Sequence, residues 1–148
     1  MVKSYLNFET DMEDNPAPIR VVTYNVKGVL NPFKRTNILN KKDKAGIVYL
    51  QETHLKEPEH AKLKRHGFGQ VFSSSFPSGR QRGVAMLIST KSVFEKVSEF
   101  KDKEGRYNMV IGKLDGIEVT LLNVNRCSTS FRTPLPMWGH DLHGVGPR

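Results

Sequence analysis

Two polar residues near the start of the chain each close an apolar run, and they are the first candidates for chemistry. Ile47-Val48-Tyr49-Leu50 reads as a short buried strand, followed at once by Gln51-Glu52. A carboxylate there stands at the C-terminal end of a strand, where an open α/β sheet puts its ligands and catalytic groups. Ile19 to Val26 reads as a second apolar strand, with Asn25 near its end and a turn residue, Gly28, just beyond. If the two strands run parallel through a helical crossover, Asn25 and Glu52 reach one edge of one sheet. Alone, Glu52 reads as an ordinary solvated turn residue. The pair marks a site.

The elements that would position the pair follow from patterning. Lys34 to about Lys44 reads as the crossover helix, with Ile38 and Leu39 as its apolar face. A weak helical stretch is expected near His60–Arg65, and Phe68–Phe72 reads as a third strand. Ser73–Gly83 is a polar, glycine-bearing loop carrying Arg80 and Arg82, and Val84–Ile88 is a continuous apolar strand. From Val93 onward the pattern is antiparallel. Arg106–Gly112 and Glu118–Val124 flank Asp115-Gly116, a strong hairpin signal.

Thr23-Tyr24-Asn25-Val26-Lys27-Gly28 and Leu50-Gln51-Glu52-Thr53-His54 resemble, in order, the first two motifs of the endonuclease/exonuclease/phosphatase family. The sequence is most similar to the endonuclease domain of long interspersed element (LINE) retrotransposons, an exonuclease III-like hydrolase, over about Ile19 to Val124. The resemblance implies a Mg²⁺-dependent enzyme that nicks DNA by phosphodiester hydrolysis. Glu52 takes the place of its metal-binding carboxylate, and Asn25 that of the catalytic group orienting the phosphate. His54 is the neighbour that would support Glu52. Lys27, Arg80 and Arg82 are the expected contacts to DNA phosphates, salt-dependent and blind to sequence.

Where the family continues with Asn, an apolar residue and Tyr-Ala-Pro, this chain has Asn123-Val124-Asn125, so Asn125 takes the tyrosine's place. Neither Gly-Asp-Phe-Asn nor Ser-Asp-His occurs, and with them go the remaining carboxylates and the general base. The expectation is a truncated endonuclease, inactive alone, with weak or no Mg²⁺ binding. The alternatives are a basic nucleic-acid-binding remnant without catalysis and a phosphoesterase of the same family. The implied fold is an incomplete four-layer α/β sandwich: one mixed sheet with flanking helices and a second sheet largely missing. Val84–Ile88, Met109–Ile111 and Leu121–Val124 would then leave an apolar face uncovered and open to self-association.

Domain organisation is read as three parts. Residues 1–17 form an acidic, loosely ordered extension, 18–125 the half-domain, and 126–148 an unrelated irregular tail rich in Pro and Gly. Within that tail, His140-Asp141-Leu142-His143 has a metal-like spacing, but its flanking glycines oppose the helix that spacing needs. The single Cys127 permits no internal disulfide, as in a reducing compartment.

Net charge is +8, unevenly spread. Residues 1–17 hold one basic residue (Lys3) against four acidic ones (Glu9, Asp11, Glu13, Asp14). The other 131 residues hold 22 basic against 11 acidic, an excess of +11. That excess favours polyanions, DNA first. No apolar run reaches the length of a membrane span and Met1-Val2-Lys3-Ser4 opens no signal peptide, so no membrane partner is expected. The expected location is intracellular, nuclear if the protein functions. His60 and His66, and the runs Lys41, Lys42, Lys44 and Lys62, Lys64, Arg65, read as solvated helix faces.

Overall fold

A computed structural model describes residues 3–8 (backbone only), 18–42, 44–65 and 67–125. The expected tail, the His140–His143 cluster, His66 and Cys127 lie outside the described residues. The elements are β1 (Lys3–Phe8), β2 (Ile19–Asn25), α1 (Pro32–Lys41), β3 (Ile47–Gln51), a 3₁₀ segment (Glu57–Leu63), β4 (Phe68–Ser74), β5 (Val84–Ser89), β6 (Phe94–Lys101), β7 (Tyr107–Leu114) and β8 (Ile117–Val124). They form a five-stranded sheet in the order β1-β2-β3-β5-β4 and a three-stranded sheet in the order β6-β7-β8.

β2 and β3 are parallel, as the crossover requires, in a register that pairs Asn25 with Gln51. Between them α1 starts at Asn31, whose side chain accepts from the backbone N–H of Phe33 at 2.8 Å and of Lys34 at 3.2 Å, with Pro32 opening the first turn. The helix begins and ends a little earlier than the sequence suggests. Ile38 and Leu39 are its buried residues, and they join a core of Val22, Val48, Leu50 and Leu87 on that side of the sheet. Lys42 departs from the expected solvated face: it is buried, with its ammonium 4.9 Å from the centre of the Tyr24 ring.

A loose extension was expected at the N-terminus, but residues 3–8 form a strand paired antiparallel to β2 from Lys3 opposite Tyr24 to Phe8 opposite Ile19. Pairing there satisfies an edge of β2 that would otherwise face water. The acidic character behind the expectation belongs to residues 9–14, which β1 does not include.

The α/β sandwich is present, and its second sheet is larger than the sequence suggests. β6, β7 and β8 form a three-stranded antiparallel sheet around the Asp115-Gly116 turn. Val110, Leu114 and Leu121 from that sheet pack against Val21, Ile47, Met86 and Ile88 from the other. Every residue of β5 is buried. The face expected to be left uncovered is therefore the inter-sheet core, because β5 meets α1 and the 3₁₀ segment on one side and the small sheet on the other. Exposed apolar side chains occur elsewhere, at Val97 and Phe100 on β6 and at Phe33.

Candidate active site

The rim at the C-terminal ends of β2 and β3 is built mainly from backbone. Val26, Gly28 and Val29 donate their N–H groups to the carbonyls of Gln51, Glu52 and Thr53 at 3.0, 2.7 and 3.0 Å. Thr53 and His54 donate in turn to Gly83 and Arg82, and Gly83 donates to Gly105 at 3.0 Å. Three loops from both sheets are thus laced together. Lys27, Glu52, His54 and Arg82 all adopt left-handed backbone (φ 49, 55, 57 and 59°), a conformation costly for residues with a side chain. Gly28 (φ 89°) lies beneath the His54 ring, where a Cβ would come within 2.9 Å of Nδ1.

On this rim Asn25 Nδ2 donates to Glu52 Oε2 at 2.6 Å. The amide cannot turn over without loss, because its Oδ1 accepts from the Lys27 N–H at 3.1 Å. His54 Nε2 stands 3.8 Å from Glu52 Oε1, and both side chains are about one-third exposed. The structure therefore brings Asn25, Glu52 and His54 together, with the Lys27 and Arg82 backbones on the same rim. Arg80 is anchored elsewhere, on the 3₁₀ segment: its Nη1 donates to both carboxylate oxygens of Glu59, at 2.7 and 3.0 Å. That guanidinium holds the Glu59 carboxyl down to about 2. Arg82 and Arg106 share the carboxylate of Glu104, at 2.8 and 2.9 Å, and the Arg82 guanidinium lies 4.6 Å from the Phe76 ring centre.

Two supports of the rim were not singled out from the sequence. Asn123 on β8 is fully buried and crosses between the sheets: its Nδ2 donates to the carbonyls of Leu50 and Ala85, and its Oδ1 accepts from Gln51 Nε2. A signal existed, since Asn123 shares the inward face of its strand with Leu121 two residues before. The second support is His60, which was expected in water but is 2% exposed. Its Nε2 lies 2.9 Å from Thr53 Oγ1 and its Nδ1 3.1 Å from Ser75 Oγ, so it ties the rim residue between Glu52 and His54 to the loop after β4. Desolvation pushes the imidazole down to about 4. Asn125, in the tyrosine's place, is buried, and its Oδ1 has no hydrogen-bond partner among the described residues.

Among the described residues no three of His, Cys, Asp and Glu converge as a metal site would require. A Mg²⁺ ion held largely by water and phosphate needs one or two carboxylates. Glu52 supplies one, already oriented by Asn25, so the residues present fit one protein ligand position of such an ion and no more. Among the described residues no helix is long and apolar enough to cross a membrane.

No family model matches the sequence. The structure is similar to truncated TDP2 from Caenorhabditis elegans, with a TM-score of 0.51 at 20% identity, over 74% of this chain and 46% of that one. It also aligns with an AP endonuclease from Archaeoglobus fulgidus (TM-score 0.48, 24% identity, 69% of this chain and 39% of that one). A third alignment is with the 3' phosphatase NExo from Neisseria bound to a product DNA hairpin (TM-score 0.46, 20% identity, 70% and 40%). The TDP2 likeness shows the fold, an endonuclease/exonuclease/phosphatase-type α/β sandwich. The chain spans less than half the length of each of these structures.

Proposed function

We propose that this chain carries the Asn25–Glu52 part of a Mg²⁺-dependent site for cleaving DNA phosphodiesters, of the kind found in LINE retrotransposon endonucleases. The observation that carries the reading is the 2.6 Å bond between Asn25 and Glu52 on a shared strand-end rim, within motifs that resemble that family. In this reading Glu52 is the metal ligand. Asn25 fixes the carboxylate's orientation and His54 flanks its other oxygen. Lys27 and Arg82 face the phosphates. When bound, the ion would supply charge neutralisation at the phosphate. The chain's own part is to bind and orient. With neither Gly-Asp-Phe-Asn nor Ser-Asp-His in the sequence, no residue is assigned to activate water, and the chain alone does not turn over.

The test is DNA affinity of the 148-residue chain with and without Mg²⁺, alongside a supercoiled-plasmid nicking assay. Mg²⁺ should tighten DNA binding in the parent and not in Glu52→Ala, with no nicking by either. An equal Mg²⁺ effect in both proteins would overturn the role of Glu52. Nicking that vanishes in Glu52→Ala would overturn the claim of inactivity.

A further inference from the structure

Beside α1 lies a groove of about 510 Å³ whose lining includes Tyr24, Phe33, Lys34, Ile38, Lys41 and Lys42. Positions 34, 38 and 41 fall on one helical face. Phe33 is 82% exposed, and Leu30 next to its turn is 40% exposed. The exposure does not come from a loose segment. Asn31 caps the Phe33 and Lys34 N–H groups, Lys34 Nζ donates to the Lys27 carbonyl at 3.2 Å, and Arg35 Nη1 donates to the carbonyls of Val29 and Leu30, both at 3.1 Å. A large aromatic ring is held in water by a loop tied down on both sides of it.

The charge of the groove narrows the partner. Every charged side chain among its described lining is a lysine. A hollow of about 600 Å³ near Lys101 is different, since Glu57 and Asp102 line it with the lysines, and Lys101 is paired to Glu57 at 2.8 Å. The ammonium of Lys34 has three donors and places one on Lys27, leaving two to face outward. A ligand matching this surface carries phosphate-like negative charge and a flat apolar face. A nucleotide has both. In a duplex the base faces are stacked on one another, so an exposed ring finds no partner there, whereas an unpaired base offers its π-face.

We propose that the α1 groove binds single-stranded nucleic acid, with one unpaired base stacked on Phe33 and the adjoining phosphates on Lys34 and Lys41. The proposal rests on the reading above only in expecting nucleic acid as the partner. Because Lys34 bonds to Lys27, two residues past Asn25, the groove is joined to the rim by direct contact.

The experiment is fluorescence anisotropy of a labelled oligothymidylate and of a blunt duplex of the same length, with EDTA present so that Glu52 and any metal play no part. Phe33→Ala and Phe33→Leu should each weaken single-strand binding about 5- to 100-fold, the range of one stacked base, with duplex affinity unchanged. Phe33→Tyr should restore it. Lys34→Gln with Lys41→Gln should lower the slope of log affinity against log salt by about one unit. The Leu variant keeps the apolar bulk, so it decides the matter if the Ala variant folds poorly. Equal single-strand affinity in parent and Phe33→Leu would overturn the proposal. So would equal losses on single strand and duplex, no single-strand binding by the parent, or displacement by polyglutamate as effective as by unlabelled oligothymidylate. None of these outcomes bears on the Mg²⁺ dependence of Glu52.

Discussion

Gln51 Nε2 donates to Asn123 Oδ1 at 2.7 Å, joining the end of β3 to β8 in the opposite sheet, one residue before Glu52. Asn123 also holds the Leu50 and Ala85 carbonyls, at 3.1 and 2.9 Å, so all its polar atoms are engaged inside the sandwich. Asn123→Ala leaves these partners without a substitute and should destabilise the fold by on the order of 3 kcal/mol, read as a lower urea midpoint with an unchanged slope. Asn123→Asp should be worse, since a carboxylate would face two carbonyls it cannot donate to.

His60 makes stability depend on pH. Its ordinary value is about 6.5, and burial lowers it to about 4 against weaker opposing pulls from Glu57 and Glu59. Above pH 6.5 the ring is neutral in the folded and unfolded chain alike, and its contribution is fully present. As the pH falls from 6.5 toward 4 the unfolded chain gains a proton that the folded one refuses, so stability declines. A gap of about 2.5 pH units corresponds to a loss on the order of 3 kcal/mol, complete below pH 4. His60→Gln should be less stable at neutral pH, where Thr53 and Ser75 lose their partner, and should flatten this slope. Urea melts across that window check both.

Glu104 holds two guanidiniums, Arg82 and Arg106. Glu104→Gln removes the negative charge that competes with a phosphate for them. It should tighten DNA binding and steepen its salt dependence by one to two units, about one per released cation. An unchanged slope would remove Arg82 from the DNA contacts.

Much of this architecture could be read from the chain. The parallel β2–β3 pair, the hairpin at Asp115-Gly116 and the burial of Val84–Ile88 follow from apolar runs and turn chemistry. So does the convergence of Asn25 with Glu52, because parallel strands joined by a helix must end on one side. What escaped is long-range. His60 sits among Glu57, Glu59, Lys62 and Lys64, so its neighbours in sequence say water, and only the close approach of Thr53 and Ser75 says otherwise. Arg80 and Arg82 look like free cations until Glu59 and Glu104 are found beside them. The second sheet was underestimated because its inward residues alternate with charged ones, a pattern that reads as an edge until its covering partner is known.

Lys27 has φ 49° and an exposed side chain. Lys27→Gly would relieve the left-handed backbone at a modest cost in unfolded-state freedom, for a net gain of about 0.5–1 kcal/mol. The same variant should bind DNA more weakly, and a thermal melt run beside the anisotropy assay separates the two effects.

Lys27, Glu52, His54 and Arg82 share that torsional sign, and each donates or accepts in the lacing of the rim. Selection for heat tolerance alone would press glycine into each of the four, and every success would erase a charge or a ring from the one edge where they are gathered. A thermostabilised descendant of this chain would keep its outline and forget its ligand.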